Sequence, residues 1–197
     1  MVEGRTRRFA RLGRALAASA ATFVVLAAST GQAGAAEGGP GFAAQARAAG
    51  LTGAEAVTLQ NRVDRYLAEM GGTQVAANRI DLGGRSSVTV RLPGEKAARD
   101  LSGSPASGAV SGRDRCDYKY MCAFSDTIFR GDRIDMYVCD DYPIPWSNDG
   151  SWVNNQTAGT VSQFKDKQGH VGWHDGGAYE EDISAPWYWV YDVRNCG

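Results

Sequence analysis

Apolar positions recur at helical spacing in one stretch of the chain and fall into short alternating runs after it. Behind Thr52-Gly53-Ala54-Glu55, the residues Val57, Leu59, Val63, Tyr66, Leu67 and Met70 recur mostly at intervals of three and four, up to Gly71-Gly72. That spacing predicts one amphipathic helix of about five turns. The Thr-x-x-Glu start is a capping box, in which hydroxyl and carboxylate satisfy two end amides, and the glycine pair is a natural stop. Residues 74–81 and 86–92 then alternate loosely around Gly83-Gly84, which predicts a β-hairpin closed off by Pro93-Gly94. A helix and one hairpin have little core of their own and need something to pack on. Further on, strand-like runs crowd together at 118–124, 133–138, 160–164, 171–173 and 187–193, separated by Gly, Asn, Asp or Pro. Such spacing predicts an antiparallel sandwich. The expected fold is therefore mainly β, with a small α+β segment ahead of it.

The flanking segments organise the chain. Arg5, Arg7, Arg8, Arg11 and Arg14 precede an apolar run over 15–29 that is too short to span a bilayer comfortably, and Ala33-Gly34-Ala35 follows. This is the pattern of a signal peptide over residues 1–36, so the chain is expected to be secreted and free of the membrane after cleavage. Residues 37–101 are expected to form the small α+β pro-segment or spacer. Residues 102–115, rich in Gly and Ser, read as a flexible linker open to clipping. Residues 116–197 form the expected β domain.

Composition sharpens that division. All four Cys, all five Trp, both His and seven of the eight Tyr lie at or beyond position 116. Thirteen acidic residues face six Lys and Arg over 116–197, against eight and ten over 37–115. An acidic domain repels phosphate backbones, which argues against a nucleic-acid partner. An even number of cysteines in an exported chain implies two disulfides and leaves no thiol spare for catalysis. No Gly-x-Ser-x-Gly elbow, phosphate-binding loop or His-Glu-x-x-His helix is present, and no enzymatic activity is expected. A monomer is expected.

Within the β domain, Phe124-x4-Phe129-x-Gly131 resembles the signature of a βγ-crystallin Greek key. In that motif a hairpin folds over the sheet, an aromatic packs on the fold, and the glycine takes a backbone conformation closed to residues with a Cβ. Ser151 stands where such a motif places the serine that ties the hairpin down, and Trp173 and Tyr179 suggest a second, looser copy. The run Cys116-x5-Cys122-Ala123-Phe124-Ser125 with Gly131-Asp132-Arg133 resembles the opening of the streptomycete metalloproteinase inhibitor family, secreted βγ-crystallin-like proteins that bind thermolysin-type zinc proteases. About 18 residues match closely. The resemblance implies the pairs Cys116–Cys122 and Cys139–Cys196. The later cysteines are too far apart for a second small loop, so the family's inhibitory loop does not carry over residue by residue.

On its own chemistry, one segment suits a protease-binding loop: Asp140, Asp141, Tyr142, Pro143, Ile144, Pro145 and Trp146. Cys139 anchors its start, two prolines restrict it, and Tyr and Trp are residue types that anchor interfaces. The other reading of the same residues is an acidic corner whose aromatics fold back into the core. His170 and His174, with Asp175, Glu180 and Glu181, form the only metal-like cluster and lack a third ligand at the right place, so no metal is expected there. Around Ser147-Asn148-Asp149-Gly150-Ser151-Trp152 the oxygen ligands for calcium are incomplete, which allows weak binding at most and no resident cofactor. The expected function is a secreted inhibitor of extracellular metalloproteases that occludes the active site, with an extracellular protease as partner. The alternative is a noncatalytic wall-glycan- or calcium-binding module, with Trp152, Trp187 and Trp189 as the stacking candidates.

Overall fold

Thr52 caps the main helix, α2 (Gly53–Met70), as the sequence predicts: its hydroxyl accepts the Glu55 amide, and the Glu55 carboxylate accepts the Thr52 amide at 2.9 Å. The Gly71 amide closes the far end on Leu67 O at 3.0 Å. The buried stripe is Leu59, Val63 and Tyr66, while Val57 faces solvent. The computed structural model describes residues 40–102 and 115–197, and residues Ala35–Gly197 form one compact unit. The expected signal peptide and most of the expected linker lie outside the described residues.

A short helix, α1 (Pro40–Ala48), precedes α2 and was not expected. Gln45 ties it down, its side chain accepting the Ala77 amide and donating to Leu101 O, both at 2.5 Å. The expected two-stranded hairpin is three strands, β1 (Thr73–Ala76), β2 (Arg79–Asp81) and β3 (Ser86–Thr89). The first expected strand breaks at Ala77-Asn78 because Asn78, fully buried, turns its amide onto Val90 O and Arg99 O.

Eight strands follow: β4 (Tyr120–Asp126), β5 (Arg130–Met136), β6 (Asp141–Pro143), β7 (Asp149–Asn155), β8 (Gln163–Lys165), β9 (Val171–His174), β10 (Glu180–Pro186) and β11 (Asp192–Arg194). Among the described residues the protein is mainly β, with two antiparallel sheets and two short helices. One sheet runs β1-β2-β3-β5-β4-β7-β10, the other β6-β11-β8-β9. The third strand of each four-strand run changes sheets. β6, between β5 and β7 in sequence, pairs with β11, and β10, between β9 and β11, pairs with β7. The expected strand over 187–193 opens as a 3₁₀ turn (Trp187–Trp189) and pairs only from Asp192. β6, β7 and β10 were not expected as strands.

The sheet crosses the boundary that composition suggested. Val88 of β3 lies opposite Ile134 of β5, and one apolar cluster joins Leu59, Val63, Ile80 and Val88 to Ile134, Trp152, Phe164 and Trp187. The basic front segment also pairs with the acidic part, through Arg62–Asp132 and Arg85–Asp140. The charge split thus runs within one sheet rather than between two domains, and the helix-and-hairpin segment finds on the β domain the core it lacks alone.

Candidate functional site

The family resemblance implied a cysteine pairing, and both of its bonds are present: Cys116–Cys122 with Cα atoms 5.7 Å apart and Cys139–Cys196 at 5.4 Å. Just beyond the first bond, the β4–β5 hairpin is tied down as the serine position suggests. Ser151 Oγ accepts the Phe129 amide at 2.8 Å and donates to Asp126 O at 2.7 Å. Phe124 and Phe129 meet edge to face at 5.6 Å. Gly131 has φ +82°, and a Cβ there would collide with the Ser125 hydroxyl. Ile128 and Phe129 also have positive φ, a conformation costly for β-branched and bulky side chains. It is held from both sides, by Ser151 on Phe129 and by the Ile183 carbonyl, which accepts the Ile128 amide at 2.8 Å.

The 140–146 segment is an edge strand and its continuation. Tyr142 and Ile144 point into the core, 4% and 6% exposed, while Asp141 and Pro143 remain exposed. Asp141 pairs with Lys165 at 2.6 Å and Arg194 at 3.1 Å, and Asp140 pairs with Arg85. Tyr142 donates its hydroxyl to Val138 O at 2.6 Å, and burial pushes its pKa up. Half-buried Trp146 donates its indole N–H to the Tyr66 hydroxyl at 2.8 Å. Tyr142 and Trp146, read as interface anchors, are therefore occupied inside the fold, and what the segment exposes is backbone with Asp141 and Pro143.

Sequence reasoning did not find the polar knot behind that segment. Asp132, 6% exposed, accepts the Tyr66 hydroxyl at 2.7 Å, the Arg91 amide at 2.8 Å and the Arg62 guanidinium. Burial, with Asp132 beside it, drives the Tyr66 phenol well above its ordinary pKa, so it stays protonated and donates. Tyr66 was legible as a core position of the helix, but its partner 66 positions on was not.

The remaining candidates are dispersed. His170 and His174 are exposed, one beside the Asp166 carboxylate at 3.3 Å, the other beside the Asp175 carbonyl at 3.0 Å. Asp175 is buried and accepts the Asn154 side-chain amide and the Ser162 and Gly177 backbone amides, a structural role. Among the described residues no three His, Cys, Asp or Glu side chains are placed to hold a metal. In the calcium-like stretch the Asn148 amide donates to Ser125 O and Asp149 O, and Trp152 lies in the core. Trp152, Trp187 and Trp189 come together with Trp173 and Phe164 around one cleft of about 450 Å³.

The chain matches no protein-family model, no curated protein and no solved structure.

Proposed function

We propose that residues 116–197 are a βγ-crystallin-like pair of Greek keys and that the chain is a secreted, noncatalytic inhibitor of extracellular zinc proteases, acting by occlusion. The exchange of third strands, the Ser151 tie, the Gly131 turn and the two disulfides support the crystallin-like reading. They also agree with what the resemblance to the streptomycete metalloproteinase inhibitors implied.

The observation that carries inhibition is the state of β6. It lies at the end of its sheet, paired with β11 on one side only. Cys139–Cys196, the inward Tyr142 and Ile144, and two prolines hold it extended. A protease cleft takes its substrate as extended backbone, and a strand already fixed in that form loses little entropy on docking. Asp141 is neutralised by two cations, so the rigid backbone rather than a free carboxylate is what the edge presents. The test is Pro143→Arg, which puts a bulky charge on the exposed side. Inhibition of a thermolysin-like protease should weaken about tenfold or more, ~1.4 kcal/mol, with the melting curve little changed. Unchanged inhibition would move the docking surface elsewhere.

A further inference from the structure

The five tryptophans divide by what their N–H groups do. Trp146 donates to Tyr66 and Trp187 to Phe124 O, both within hydrogen-bond distance. Trp152, Trp173 and Trp189 have no hydrogen-bond partner among the described residues, and all three line the same cleft. Trp152 is only 2% exposed, so its ring forms the floor of the cleft.

The cleft opens between β9 and β10, each the last strand of its sheet, so it is the open end of the sandwich. Trp173 packs on Phe164 at 5.0 Å and on Trp152 at 5.6 Å while remaining 43% exposed. Gly172 seats Trp189, whose ring a Cβ there would strike. One carboxylate lines the site: Asp182 Oδ1 accepts the Ser184 amide at 2.8 Å, and Oδ2 has no partner among the described residues.

We propose that this cleft binds a neutral saccharide, a pyranose ring lying on the Trp173 and Trp189 faces with its hydroxyls meeting Asp182 and the indole N–H groups. The chemistry excludes the other occupants in turn. A purely apolar ligand would give the Asp182 carboxylate oxygen and the indole N–H groups no partner. An anion would meet the Asp182 carboxylate, in a region with thirteen acidic and six basic residues. An ammonium group would suit the rings and the carboxylate but has no lone pair for the N–H donors. Hydroxyls both donate and accept. The volume also lies within the range of small-molecule sites, about 300–1,000 Å³. The site is separate from the proposed protease-binding edge, because β6 and β9 are opposite ends of the four-stranded sheet.

The experiment is a tryptophan-fluorescence and calorimetric titration of residues 35–197 with the tetrasaccharides of N-acetylglucosamine and of glucose, beside tetramethylammonium chloride. Pull-down on the matching insoluble polymers separates a free oligosaccharide ligand from a wall-type polymer, since only the latter retains the protein at trace concentration. A saturable response to at least one tetrasaccharide is expected. Trp173→Ala should weaken it about tenfold or more and Asp182→Asn about fivefold or more, with protease inhibition unchanged in both. Should Trp173→Ala disturb the fold, Asp182→Asn alone decides. No saturable response to either sugar at about 10 mM, a response to tetramethylammonium alone, or full affinity in folded Asp182→Asn overturns the proposal.

Discussion

The Trp146 indole N–H donates to the Tyr66 hydroxyl at 2.8 Å, across 80 positions of sequence. Tyr66 hands its own proton to Asp132 at 2.7 Å, so helix α2, strand β5 and the segment after β6 meet at one phenol. The front segment is thereby bound to the same residues that position the proposed docking edge.

Tyr66→Phe removes that phenol with little loss of volume. It leaves the Trp146 N–H without its acceptor and Asp132 with only Arg62 and the Arg91 amide. Loss of a partnered buried polar group costs about 1–3 kcal/mol. An unfolding free energy lower by that amount, read as a lower denaturant midpoint at an unchanged slope, is the expected result.

A protease site engineered between Ser102 and Arg115 gives a nicked protein. Its two pieces should stay together through gel filtration without denaturant, because β3 pairs with β5 and Arg62 and Tyr66 hold Asp132. Separation of the pieces would mean that the front segment is a removable pro-segment.

Ser151→Ala takes two hydrogen bonds from a turn that holds Ile128 and Phe129 at positive φ. About 2–4 kcal/mol should be lost, since the Phe129 amide is left buried and unpaired. Gly131→Ala should cost at least as much, because it adds a left-handed penalty of about 1–2 kcal/mol to a collision with Ser125. Chemical denaturation of the two variants tests both values.

The disulfides should contribute unequally. Cys139 and Cys196 are 57 positions apart, Cys116 and Cys122 six. Loop-closure entropy gives about 4 kcal/mol for the longer loop and about 2 kcal/mol for the shorter. The double serine variant of the Cys139–Cys196 pair should therefore melt well below that of the Cys116–Cys122 pair. The reverse order would show that the short loop carries native-state interactions beyond closure.

How much of this was legible depended on whether a pattern was local. Thr52, Glu55 and Gly71 bound their helix because a cap is made within about one turn of its own sequence. Phe124, Phe129 and Gly131 marked their hairpin for the same reason. β7 stayed hidden because its buried positions include Ser151 and Asn154, whose partners lie far away on Phe129 and Asp175. β6 did carry a signal. Asp141, Tyr142, Pro143 and Ile144 alternate out and in, as a half-buried strand should, but the two prolines made them read as a loop. Trp152, Trp187 and Trp189 were named as stacking candidates, but that they share one cleft with Trp173 had no local signal, because it depends on which two edge strands end up side by side.

Titration of residues 35–197 against a thermolysin-like protease, with a subtilisin-like protease in parallel, tests the central claim most directly. The account expects stoichiometric loss of activity of the zinc enzyme, with the inhibitor recovered uncleaved and the serine protease unaffected. Full activity of the zinc enzyme in the presence of excess folded, uncleaved protein would contradict it.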